Sequence, residues 1–225
     1  MTQVTLTNLV ANASFEAGAS WSGITYDGTQ ACFGARSQKL PIGTSVATCP
    51  MSVPIVGHTY YGRHYLKSSG NNAPADCRFE WFAGDGAGLN FVFGWNRGDW
   101  PRWGMESSVI RVDAVKGTSY VCRSFVVNGT AEMWADGLMI VDLTAAFGAG
   151  NEPEKDWCDE CIPFFEGSLV LETYPFSGVT VTGVSLAPNP VQTKQAVAVS
   201  AQVQEVNALL RPVKRYVGEF YTGEN

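Results

Sequence analysis

Charge is scarce in this sequence: 16% of its 225 residues are Asp, Glu, Lys or Arg, against roughly 25% in an average globular domain. Basic residues are scarcer still, 15 Lys and Arg against 21 Asp and Glu for a formal net charge of -6, and they are scattered. Without a continuous basic stripe, duplex nucleic acid and an anionic membrane surface are excluded as main partners. No apolar run is long enough to span a bilayer, so no membrane insertion is expected. The opening MTQVTLTNLVANASFE has neither the basic n-region nor the apolar h-region of a secretory signal. The chain is therefore expected to be made and folded in a cytosol. Catalytic signatures are missing as well. There is no G-x-S-x-G, no H-E-x-x-H and no P-loop, and Gly84-Asp85-Gly86-Ala87-Gly88 lacks the Lys-Ser/Thr that a phosphate cradle requires. His58 and His64 have no recognisably matched acid or nucleophile. The expectation is a protein that is not an enzyme, with a glycosidase-like convergence of Glu80, Asp85, Asp99 and Glu106 left open as an alternative.

What is present is a composition with 45% hydrophobic and 12% aromatic residues and 24 Gly, which suits a compact fold with a sizeable core. Six Cys (Cys32, Cys49, Cys77, Cys122, Cys158, Cys161) are widely spread. Buried reduced thiols are the expected state, because a single Cys158-x-x-Cys161 supplies two ligands where structural zinc needs four. From residue 1 to about 143, runs rich in Val, Thr, Tyr, Phe and Trp are punctuated by turn residues. They are SVATCPMSVPIV, HTYYGRHYLKSS, CRFEWFAG, LNFVFGWN, SSVIRVDAV, SYVCRSFVV and AEMWADGLMIV. Many short strands at this spacing predict an all-β fold, an antiparallel jelly-roll β-sandwich.

Residues 144–165 break the pattern. Thr144 is read as the cap of a short turn ended by Gly148, and Asn151 as the N-cap of a helix over Glu152–Trp157 that stops before Pro163. Trp157, Cys158 and Cys161 would share one face of that helix and pack on the sandwich. From about residue 168 a small β-rich segment follows, with Val179–Thr182 and Val197–Ser200 flanking Pro188-Asn189-Pro190 and a tail Tyr216–Tyr221. The predicted division is a jelly-roll domain with a helical clasp over 1–167 and a small C-terminal β appendage over 168–225. The appendage is read either as a hairpin within the chain or as a strand-adding attachment between subunits.

The opening Asn8–Gly18 followed by Trp21, the segments Ser37–Leu40 and Val56–Tyr61, and the run Ala135–Val141 resemble the strands of jelly-roll carbohydrate-binding modules. That resemblance implies a structural calcium, with Glu16 and Asp136 as its carboxylate ligands and backbone carbonyls completing the shell. A second resemblance lies in Asp142–Pro153 with Trp157-Cys158-Asp159 and Ile162–Phe165, in Gly183–Val191 and in Tyr216–Glu224. These are similar to virion structural proteins of tailed bacteriophages. The implied function is a tail-associated or surface-exposed virion component, assembled in the bacterial host cytoplasm. Its implied partners are other virion proteins, copies of itself and a host surface glycan.

The densest aromatic region supplies a candidate sugar site: Trp95, Asn96, Arg97, Asp99, Trp100, Arg102 and Trp103. Sugar rings stack their C–H faces on Trp while planar Asn, Asp and Arg groups meet their hydroxyls, and cation-π contacts can hold the Arg side chains. The competing reading places these Trp in the core or at a subunit contact. Three functions stand side by side: a virion structural protein, a dedicated carbohydrate-binding module and, more remotely, a polysaccharide-degrading enzyme.

Overall fold

A computed structural model describes residues 2–17, 20–40, 47–69, 75–86, 90–98, 101–128, 132–182 and 202–213. The chain divides into two units, one built on Val4–Val170 and the other on Leu171–Arg215. In chain order the strands are β1 (Thr2–Thr7), β2 (Thr25–Asp27), β3 (Ser37–Lys39), β4 (Ala47–Met51), β5 (Thr59–Ser68), β6 (Ala75–Ala83), β7 (Asn90–Gly98), β8 (Gly104–Arg111), β9 (Tyr120–Asn128) and β10 (Met133–Asp142). Two helices follow, α1 (Leu143–Phe147) and α2 (Lys155–Cys161).

The first unit is the expected antiparallel jelly-roll sandwich. One sheet has the order β2-β3-β10-β5-β8 and the other β4-β9-β6-β7. All seven expected runs form strands, β4 to β10. Period-2 alternation places Cys77, Phe79, Trp81 and Ala83 of β6 in the interior, together with Tyr60 and Leu66 of β5 and Leu138 and Ile140 of β10. The two sheets meet through aromatic contacts, with the Tyr60 ring edge-on to Trp81 at 5.1 Å and His64 stacked on Phe79 at 5.2 Å.

The opening of the chain differs from the expected first strand. Residues 8–17 form a turn-rich loop in which Asn12 and Phe15 take positive φ values of 49° and 62°. Asn8 makes this possible by replacing ladder bonds with its own amide. Its Nδ2 donates to the carbonyls of Leu138 and Phe165, and its Oδ1 accepts from the backbone N–H of Val10 and Ile140.

The clasp forms with different caps from those expected. Asp142, not Thr144, caps α1, accepting the Ala145 N–H at 2.9 Å. Thr144 instead accepts the Thr59 N–H and donates to Glu152. Helix α2 begins later than Asn151 because Glu152 is committed to Thr144 and Gly150, and Glu154 stands at its N-cap without a side-chain bond. Of the three residues expected on its packing face, Cys158 is buried while Trp157 and Cys161 are half-buried. Four of the six Cys are buried, Cys32 and Cys161 are half-buried, and all six are free thiols.

In the second unit, β11 (Ser168–Thr182) pairs antiparallel with β12 (Gln202–Val213), from Glu172 opposite Val213 to Thr182 opposite Gln202. The expected strand Val179–Thr182 lies in β11. The Pro188-Asn189-Pro190 turn, Val197–Ser200 and the Tyr216–Tyr221 tail lie outside the described residues.

Candidate functional site

The two outer faces of the sandwich differ in what covers them. On the five-stranded sheet, Tyr61 and Arg63 of β5 and Met139 and Val141 of β10 point away from the interior yet are buried. The clasp is bonded to Tyr61 and Arg63. Asp159 of α2 accepts from Tyr61 Oη at 2.8 Å and from Ser107 Oγ at 2.6 Å, and the Ile162 carbonyl accepts from Arg63 Nη1 at 2.6 Å. The Phe164 ring packs on Phe33, which lies edge-on to Tyr65. Strand β10 is therefore buried on both faces.

The outer face of the four-stranded sheet remains partly exposed along Thr48, Arg78, Phe82 and Val121. Register brings Thr48, Arg123, Glu80 and Val92 into one cross-strand row at its centre. There Arg123 Nε donates to Glu80 Oε1 at 2.5 Å. The Arg123 guanidinium lies 3.5 Å from the Phe82 ring centroid and 5.0 Å from that of Phe125. Glu80 is fully buried, while Arg123 keeps 18% of its side chain exposed. A planar cation is thus fixed by a carboxylate on one side and by aromatic rings on its faces. This combination of apolar surface with a few oriented polar groups is the usual chemistry of a small-molecule contact surface.

The expected sugar site relates to this face through one strand. Trp95 is the register partner of Arg78, which itself sits opposite Phe125, so the row Trp95–Arg78–Phe125 adjoins the Arg123 row. Asn96 is opposite Cys77 and Arg97 opposite Asp76. Asp99 and Trp100 lie outside the described residues. Arg102 is exposed and Trp103 half-buried, just before β8. Sequence reasoning missed Phe82, Arg123 and Phe125, which belong to two strands far apart along the chain, Arg123 lying 43 residues from its partner Glu80. Their one local signal was the alternation Arg78-Phe79-Glu80-Trp81, whose polar positions mark the outer face.

Glu16 and Asp136 converge on one loop. Asp136 accepts the backbone N–H groups of Cys32, Phe33 and Gly137, and Glu16 accepts those of Ala35 and Arg36. Burial pushes the Asp136 carboxyl up to about 7, against the pull of those three N–H bonds. Calcium takes six to eight oxygen ligands. Here N–H donors point at the carboxylate oxygens, and the described residues contain no group of three or more His, Cys, Asp or Glu able to hold a metal. In this arrangement the two carboxylates anchor the loop over residues 32–36.

Of the acids of the glycosidase alternative, Glu80 pairs with Arg123, Asp85 accepts the N–H groups of Thr118 and Ser119 at a turn, Glu106 is the register partner of His64 on β8, and Asp99 lies outside the described residues. His58 does have an acid partner, its Nδ1 lying 2.8 Å from Asp142 Oδ2.

No protein-family model matches the chain, and no curated protein matches it. Among solved structures, similar ones are the CBM22-1 xylan-binding domain from Paenibacillus barcinonensis Xyn10C, at 14% identity and a TM-score of 0.45, covering 61% of this chain and 92% of that one. The C-terminal family 22 carbohydrate binding module of Clostridium thermocellum Xyn10B matches at 16% identity and a TM-score of 0.47, covering 63% and 94%. A family 16 carbohydrate binding module matches at 17% identity and a TM-score of 0.45, covering 59% and 99%.

Proposed function

We propose that the sandwich is a non-catalytic glycan-binding module whose binding surface is the outer face of the four-stranded sheet. The observation that carries this reading is Arg123, held in place by Glu80 and stacked with Phe82 and Phe125 on the outer face of the four-stranded sheet. Its guanidinium edge supplies paired donors for sugar hydroxyls, and the half-buried Phe82 ring supplies apolar surface for C–H groups, while Phe125 packs beneath. A screen of the full chain against an array of bacterial-surface polysaccharides, followed by calorimetry, tests it. Saturable binding is expected, reduced at least tenfold in Phe82→Ala and Arg123→Lys at an unchanged thermal midpoint. Absence of binding across the array would sink the proposal.

A second reading sets this module on a tailed-phage particle as a virion component. Its support is the likeness of Asp142–Pro153, Trp157-Cys158-Asp159 and Ile162–Phe165 to virion proteins, together with a separate unit, Leu171–Arg215, of a size that holds little core of its own. Such a unit gains by docking on copies of itself or on other virion proteins. Peptides of this chain in purified particles are the expected result, and particles lacking them would remove this second reading while leaving the first.

A further inference from the structure

We propose that Cys49 and Cys122 form a cross-strand disulfide site, closed by thiol–disulfide exchange with a low-molecular-weight disulfide such as oxidised glutathione. The register carries this. Cys49 on β4 and Cys122 on β9 are direct partners in the antiparallel ladder. Both side chains point into the sandwich and both are buried. Directly opposed residues in an antiparallel pair have Cα atoms about 4.5 or 5.5 Å apart, and both spacings fall within the roughly 4.4–6.8 Å that a disulfide spans. Among the described residues, strand β4 ends the order of its sheet, with β9 as its strand neighbour and a single bridge from Thr48 to Ser22 on its other edge. A shift of β4 that brings the two sulfur atoms together has that one bridge to carry with it and no second strand.

None of the other four Cys has a register partner that is a Cys. Cys77 stands opposite Val126 and Asn96. Cys158 and Cys161 lie in one helix, and Cys32 lies in the loop anchored by Asp136.

In the reaction, the Cys49 thiolate attacks one sulfur of oxidised glutathione, forming a mixed disulfide and releasing one glutathione thiolate. The Cys122 thiolate then attacks the Cys49 sulfur, releasing the second. Two protein thiols are oxidised and one glutathione disulfide is reduced; the two protons lost by the Cys thiols are taken up by the two released glutathione thiolates. Burial holds both thiols protonated, so exchange proceeds while the chain folds or while the edge strand is open.

The test is to unfold the full-length chain and refold it in buffers of increasing oxidised-to-reduced glutathione ratio. Samples are acid-quenched, denatured, alkylated with N-ethylmaleimide and mapped by peptide mass spectrometry. Expected are the loss of two of the six adducts, a cross-linked peptide joining Cys49 to Cys122, and a rise in thermal midpoint on oxidation. Cys49→Ser and Cys122→Ala each abolish both the cross-link and the rise. Retention of alkylated Cys49 and Cys122 in the most oxidising buffer would overturn the proposal. So would their recovery as glutathione adducts or in other pairings. The mapping of the unsubstituted chain decides this even where a variant fails to fold.

Discussion

Gly62 and Gly94 set how closely the two sheets approach. A Cβ at Gly62 would lie 2.3 Å from Phe93 Cδ1, and one at Gly94 would lie 2.4 Å from His64 Nε2. Each glycine thus leaves room for a ring from the facing sheet. Gly62→Ala is expected to destabilise the protein by about 1–3 kcal/mol, the usual cost of overpacking a filled core. At exposed Gly28 the nearest atom to a new Cβ is 3.8 Å away, so Gly28→Ala should stay within about 0.5 kcal/mol. Urea unfolding of the two variants makes the comparison, and equal losses would remove the steric account. The sequence shows that glycine interrupts both strands, but it does not show what stands opposite. The same limit hid the site: Glu80 and Arg123 meet only because β6 and β9 are neighbours, and nothing local to either residue announces the other.

At the level of elements, β4 to β10 were legible because a run rich in β-branched and aromatic residues bounded by turn residues is a property of each strand alone. The short β2 was not, and β3 was marked only by the resemblance of Ser37–Leu40 to a jelly-roll strand. Three residues carry too little pattern, and both strands exist because β10 offers β3 a ladder and β3 offers one to β2. The clasp was legible as two short helical turns, while its purpose was not. Its key residue is Asp159, which accepts from Tyr61 and Ser107 and pairs with Lys155 Nζ at 2.5 Å. Although burial raises the Asp159 carboxyl, these bonds bring it below the usual carboxylate range. Asp159→Ala leaves two buried hydroxyls without their acceptor and is expected to cost about 2 kcal/mol. It should also loosen α2 from the sheet, with faster amide exchange in 155–165 and with β6 and β9 unchanged. Uniform exchange across the sandwich would show instead that clasp and sheets open together.

Across the whole molecule, two buried groups pull stability in opposite directions with pH. Burial drives His64 down from 6.5 to about 3, so the folded protein keeps it neutral. Between those values the unfolded chain binds a proton that the native state refuses, and the stability contributed by His64 is lost as pH falls. Asp136 behaves in the opposite way, with its carboxyl raised from 3.8 to about 7 chiefly by burial. Between those values the native state holds a proton that the unfolded chain releases, so its contribution is full below 3.8 and is lost as pH rises through 7. Where the two windows overlap the slopes cancel, each being about 1.4 kcal/mol per pH unit. The protein is therefore expected to show a plateau of stability between pH 4 and 6.5. Above it, stability declines as Asp136 finishes ionising. Below it, Asp136 is protonated in both states and no longer offsets His64, which is protonated in the unfolded chain alone, so stability falls, and falls further as protons reach Asp27 and Asp159, whose carboxylates are held below their ordinary range. Urea unfolding from pH 3 to 8 resolves the two contributions. His64→Leu should turn the plateau into a decline with rising pH, Asp136→Asn should turn it into a rise, and three parallel profiles would refute both assignments.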